Sequence, residues 1–226
     1  MSKDIISQIG ENIKDRKDEL IDFTSKLIRF NTSNPPGYTD EIVHFMHERL
    51  YKVPGVNIEQ FEKNDRKPGL IATLDCGEGP TIILLGHLDV VPADEESWSF
   101  PPFEGSVKDG YIHGRGTSDM KGGVTAEIFA FGELVKFKED LSEKIKLVLV
   151  PDEETDGEAG IDYLNERDDD PLDCDACLIG EPSRSHHPTI GQKGTYWIEL
   201  EAVGESEHGA LHPWVGKNAI IELCRV

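Results

Sequence analysis

The chain is poor in positive charge. Its 226 residues carry 23 lysines and arginines against 44 aspartates and glutamates, a formal net charge of −21. Such a surface repels phosphate backbones, so nucleic acid is not expected as a partner. The excess of carboxylates favours solubility and also fits a high-salt habitat. Long apolar runs are missing too. No window approaches the ~20 apolar residues that a membrane-spanning helix needs, so no membrane partner is expected. The first stretch, "MSKDIISQIGENIKDRKDELID", threads charges throughout and lacks the short apolar core of a secretory leader, which makes the cytoplasm the expected location. Cysteine is scarce, at four residues. Two of them form "CDAC", but no second ligand pair at matching spacing accompanies it, as a structural zinc would require. A redox C-x-x-C should open a helix, whereas this one runs into the apolar "CLIG". Reduced, partly buried thiols are expected. Internal repeats and low-complexity tracts are absent, which excludes a solenoid.

What is there is 37% hydrophobic, enough for one sizeable core or a core with a smaller second unit. Ile5, Ile9 and Ile13 recur at four-residue steps, and Leu20, Thr24, Leu27 and Ile28 continue the stripe, which predicts a helix ended by the prolines of "NTSNPPG". A second helix carries Ile42, Val43, Met46 and Leu50, and a third starts near Gly123 with Val124, Ile128, Phe131 and Val135 on one side. Three short apolar runs, "LIATL", "TIILL" and "KLVLV", read as strands buried on both faces, with "CLIG" as a further strand. Strands alternating with helices predict an α/β fold, a mostly parallel sheet with helices on both faces. "GTYWIELEAVG" (194–204) alternates like a half-exposed strand, and "KNAIIELCRV" reads as the opening of a helix. A boundary near residue 188 separates a first unit, 1–188, from a second, 189–226. That second stretch is too short to bury a core of its own.

In open α/β sheets the working residues gather at the carboxyl ends of strands. "TIILLG" ends in His87 and Asp89, "KLVLVP" in Asp152, Glu153 and Glu154, and "CLIG" in Glu181. Asp119 joins from "GRGTSDMKGG", whose glycines let the backbone pass close to a bound group. Any one of these is unremarkable alone, since a histidine after a strand or a solvated glutamate pair is common. Several acids and a histidine at one sheet edge repel one another unless a cation offsets their charge. Oxygen- and imidazole-rich donors suit zinc, with cobalt or manganese as alternatives. Two residues from His87, Asp89 is placed to receive the second imidazole N–H and so orient the ring.

The segments "GHLDVVP", "GRGTSDMKGG", "DEETDGEAG" and "GEPS", with the softer "IRFNTSNPPG" and "GQKGTYWIELEAVG", resemble in order and separation the zinc aminoacylase and carboxypeptidase family. That family includes acetylornithine deacetylase and succinyl-diaminopimelate desuccinylase. The resemblance implies two divalent metal ions, one held by His87 and Glu181, the other by Glu154, with Asp119 bridging. It makes Asp89 the orienter of His87, and Glu153 the general base that moves a proton from a metal-activated water to the leaving nitrogen. His208, in "EHGALHPWVGKNAI", matches the histidine that stabilises the oxyanion across a dimer interface, with one extra residue before Pro213. The implied activity is hydrolysis of an N-acyl amino acid, of the deacetylase or desuccinylase type, or of a small peptide, by a homodimer, with 1–188 as the catalytic domain and 189–226 as the start of a small α+β lid or dimerisation domain. Family chains continue past this point and return to the first domain with a last histidine ligand; His186 and His187 are the nearby alternatives here. A noncatalytic remnant that binds metal or a partner is the competing expectation.

Overall fold

The computed structural model describes residues 3–155, 157–183, 187–191, 193–194, 198–206, 208–209 and 216–225. The chain divides into two compact units, Met1–Pro182 and Ser183–Val226. The first is built on a five-stranded sheet. Its strands are β1 (Val56–Glu62), β2 (Pro68–Asp75), β3 (Thr81–His87), β6 (Lys144–Val150) and β7 (Ala176–Ile179), in the order β1-β2-β6-β3-β7. A hairpin of β4 (Ser106–Lys108) and β5 (Tyr111–His113) stands apart from it. The sheet is mixed. β6, β3 and β7 run parallel, whereas β1 pairs antiparallel with β2, and β2 with β6. Parallel neighbours need long crossovers. The connection from β3 to β6 carries α4 (Lys121–Val135), and that from β6 to β7 carries α5 (Ile161–Asn165).

The continuous apolar runs are explained by burial on both faces. In β6, Ile145, Leu147 and Leu149 join one core cluster, while Val148 and Val150 join the other. The larger cluster packs under α2 (Lys17–Ile28), α3 (Asp40–Leu50) and α4, with Phe23, Leu27, Ile42, Met46, Val124 and Phe131. On the opposite face Ile71, Ile83 and Phe61 meet Leu164 of α5. Helices thus cover both faces, unequally.

Several elements differ from expectation. The first helical stripe is two helices, α1 (Lys3–Asp15) and α2, separated at Arg16 (φ −99°, ψ 20°). Arg16 sends its guanidinium 2.6 Å from Glu133, a fully buried carboxylate on α4, and 2.8 Å from Glu19. Pairing that buried charge is a tertiary demand that the stripe does not show. α4 begins at Lys121, before the glycines. β1 has no counterpart in the sequence reading, because Asn57, Glu59 and Gln60 interrupt its apolar pattern. β7 forms, but all four of its residues are exposed, so Cys177 is exposed rather than partly buried; the same holds for Cys224. All four thiols are free. The strand expected over 194–204 is absent among the described residues, where Ile198–Gly204 carry no ladder and Glu205 makes only an isolated bridge to Lys217. An alternating segment becomes a strand only when another strand takes up its amide and carbonyl groups. In the second unit α6 (Ala219–Leu223) starts at an Asn218 cap, whose side chain accepts from the amides of Ile220 and Ile221. Among the described residues no helix is long and apolar enough to cross a membrane.

Candidate metal centre

Register places the site. His87, the last residue of β3, lies opposite Val150, the last of β6, and Leu85 lies opposite Ile179 of β7. The segments just beyond, with Asp89, Glu153–Glu154 and Glu181, therefore emerge side by side. Asp119 arrives from the loop before α4; the Asp119–Met120 peptide is cis. Gly123 lets α4 press on the end of β7, since an added side chain there would fall on the Gly180 carbonyl.

The imidazole of His87 is 1% exposed. Its Nδ1 lies 2.9 Å from the Asp89 carbonyl oxygen and 3.4 Å from Asp89 Oδ1. The backbone carbonyl is thus the nearer acceptor, a refinement of the orienting role assigned to the Asp89 side chain. Nε2 faces Asp119 Oδ1 at 2.9 Å and Glu181 Oε1 at 3.4 Å. Both nitrogens confront acceptors, and a neutral ring has only one proton to give. The second contact needs another proton or a cation. Burial alone would depress the imidazole, but the Asp89 hydrogen bond and charge, then Asp119 and Glu181, carry its pKa up to about 9.

The fully buried carboxylate of Asp89 does something the sequence did not reveal. Its Oδ1 accepts from the Glu153 amide at 3.0 Å, and its Oδ2 from the Glu154 amide at 3.2 Å. Asn34, itself buried, donates to Oδ2 at 2.8 Å and to Thr155 Oγ1 at 3.0 Å. Asp89 therefore pins the turn that bears the glutamate pair. Burial, with the charge of Asp119, pushes the Glu154 carboxyl up. Burial, then Asp119 and Glu153, pushes Glu181 up to about 7 against the pull of His87. Asp152 is not among the converging groups: it is buried, and its Oδ2 accepts from the Ala159 amide at 2.7 Å.

Two overlapping donor sets result. Ligand atoms of His87, Asp119 and Glu154 lie within 4.8 Å of one another, as do those of His87, Glu153 and Glu181. One imidazole with carboxylate oxygens, its ring fixed by a partner on the far nitrogen, fits a divalent cation such as zinc. Glu153 stands within ligand reach of His87 and Glu181.

A family model described as peptidase family M20/M25/M40 matches residues 83–222, more than half of the chain. This chain belongs to that family. Succinyl-diaminopimelate desuccinylase of Coxiella burnetii is 37% identical over 152 residues, which are 63% of this chain and 40% of that protein. An uncharacterized metallohydrolase of Methanocaldococcus jannaschii is 29% identical over 223 residues, 90% of this chain and 54% of its own length. The M20-family chain thus spans about half or less of the curated relatives it matches. Among solved structures, an M20 family metallo-carboxypeptidase from Sulfolobus solfataricus superposes with a TM-score of 0.61 at 26% identity, over 73% of this chain and 37% of that one. Human carnosine dipeptidase 1 shares the fold, with a TM-score of 0.65 at 22% identity over 88% of this chain and 43% of that one.

Of the site residues expected in this M20-family chain, His87, Asp89, Asp119, Glu153, Glu154 and Glu181 come together. His208 is exposed in the second unit and His187 likewise, while His186 and His212 lie outside the described residues. Sequence reasoning missed Asn34 and Lys121. Asn34 sits in a segment read as a helix stop and as a soft family signature, with no role given to the residue itself, and a lone polar residue before two prolines has no periodic signature. Lys121, fully buried, donates to the Phe30 carbonyl at 2.7 Å; burial pulls its pKa down to about 7 against the charge of Asp89.

Proposed function

We propose that this chain carries the metal-binding part of a di-metal amidohydrolase, acting on an N-acyl amino acid or a small peptide. The observation behind this reading is the convergence of His87, Asp119, Glu153, Glu154 and Glu181 at one sheet edge, with both His87 nitrogens facing acceptors. In this reading His87 and Glu181 would hold one cation and Glu154 the other, with Asp119 as a ligand that would serve both. Divalent cations bound there supply Lewis acidity and make water a nucleophile at neutral pH. Glu153, whose side chain is exposed, takes the proton of the attacking water and delivers it to the leaving nitrogen. Asp89 holds Glu153 and Glu154 in register through their amides and keeps the Nδ1 proton of His87 in place. His208 steadies the developing oxyanion, from a partner subunit in a homodimer.

The relatives named desuccinylase and metallo-carboxypeptidase support amide chemistry in general, and an acyl amino acid is the substrate class that the first of them suggests. Zinc is the metal that the donor set suits best. The test is metal analysis of the purified protein, with hydrolysis of N-succinyl and N-acetyl amino acids and of dipeptides. Uptake of two cations with turnover of one of these classes supports the reading. Absence of bound metal after incubation with zinc, cobalt and manganese would sink it.

A further inference from the structure

Beneath the cluster lies a group that the proposed chemistry does not use. Glu127, on α4, is 3% exposed, and neither of its carboxyl oxygens has a hydrogen-bond partner among the described residues. It is wedged against the ends of two strands. A Cβ on Gly86 would stand 2.9 Å from Glu127 Oε2, and one on Gly180 would stand 2.9 Å from Oε1. Those glycines immediately precede His87 and Glu181. The amide of Gly180 already donates to the Leu85 carbonyl at 3.2 Å, and Met120 and Val124 close around the Gly86 side. Burial pushes the Glu127 carboxyl up to about 8, against the pull of the nearby Gly180 amide. An apolar side chain would suit this pocket better, and nearly all buried polar groups in folded proteins find a partner.

We propose that Glu127 is the outer counter-charge of the metal cluster, left without a protein partner because its partner is the charge of the cations held at His87 and Glu181. This rests on the metal-centre reading above. Glu127 touches no cation and no reacting atom; it is a positioning residue that acts through the field at the ends of β3 and β7. The glycines at 86 and 180 are part of the same device, because any side chain there would displace the carboxylate.

The consequence separates this role from simple packing. Removing the charge should loosen metal binding while relieving the metal-free fold of an unsatisfied group, so the two readouts move in opposite directions. The experiment titrates zinc into the 226-residue chain by calorimetry and follows urea unfolding in chelator, for wild type, Glu127→Gln and Glu127→Leu. Both variants are expected to bind zinc about tenfold more weakly, at the low end for partners surrounding a metal site. Both should unfold at the same or higher urea concentration than wild type when metal-free. Zinc affinity within twofold of wild type would overturn the proposal. So would a loss of metal-free stability alongside the loss of affinity, or failure of both variants to fold, since either marks a packing role. A wild-type chain that takes up no zinc would instead overturn the metal-centre reading itself.

Discussion

Replacing Asp89 by asparagine changes one oxygen to an NH2 group and nothing in volume. The structure makes that small change large. Wild-type Asp89 accepts three hydrogen bonds, from Asn34 Nδ2 and from the amides of Glu153 and Glu154, in a fully buried position. An asparagine keeps most by setting its one oxygen at the Oδ2 position, where it accepts from Asn34 and the Glu154 amide. Its NH2 then faces the Glu153 amide, donor against donor, so one donor at the site loses its acceptor. At about 1–3 kcal/mol for an unsatisfied buried group, the variant should lose about 1–3 kcal/mol. That is a large part of the ~5–15 kcal/mol that holds a typical domain together. The loss should be local as well as global, because the released Glu153 amide belongs to the turn that carries Glu153 and Glu154. Urea unfolding of the metal-free chain measures the first effect, and amide hydrogen exchange at residues 153 and 154 the second. Zinc affinity should fall about 10–100-fold, as when a ligand-supporting residue is lost. Wild-type stability together with unchanged exchange at those two amides would refute the reasoning.

Glu153→Ala should cut hydrolysis about 10²–10⁴-fold and leave metal content unchanged. Because Glu153 stands within ligand reach of His87 and Glu181, loss of metal in that variant would show that it ligates. Asp119→Ala should empty both sites, since a bridging carboxylate serves two cations; two metals retained per chain by elemental analysis would exclude bridging. In the metal-free chain, His87 has its pKa raised from 6.5 to about 9 by Asp89, Asp119 and Glu181 against burial. The folded state therefore binds the extra proton more tightly, and this stabilisation is fully present below pH 6.5 and lost as pH rises through about 9. Urea midpoints across that window should fall less steeply in His87→Asn than in wild type; parallel profiles would contradict the assignment.

Residue types at strand ends were enough to pick out the acids and the histidine that the fold brings together. Apolar runs such as "KLVLV" end in acids, and a histidine follows "TIILLG", because parallel strands buried on both faces can place polar groups only where they leave the sheet. Helix faces were legible for the same reason: Ile42, Val43, Met46 and Leu50 are all buried in α3, as their spacing predicts. Periodicity is a local property, and local properties end there. It could not show that a buried Glu133 would draw Arg16 out of a continuous helix, nor that the polar β1 would find an edge to pair with. The expected strand at 194–204 has the right alternation and no ladder among the described residues, since pairing depends on a second segment. Within the site, chemistry named the converging residues, but only the folded chain determined what holds them. Asp89 was expected to orient a ring, yet its carboxylate chiefly grips two backbone amides and Asn34, because those groups come from segments 55 and more residues away. Glu127 likewise reads as one more charge on a helix until β3 and β7 close over it. Hydrogen bonds and burial across such separations are properties of the packed chain, and no window of sequence contains them.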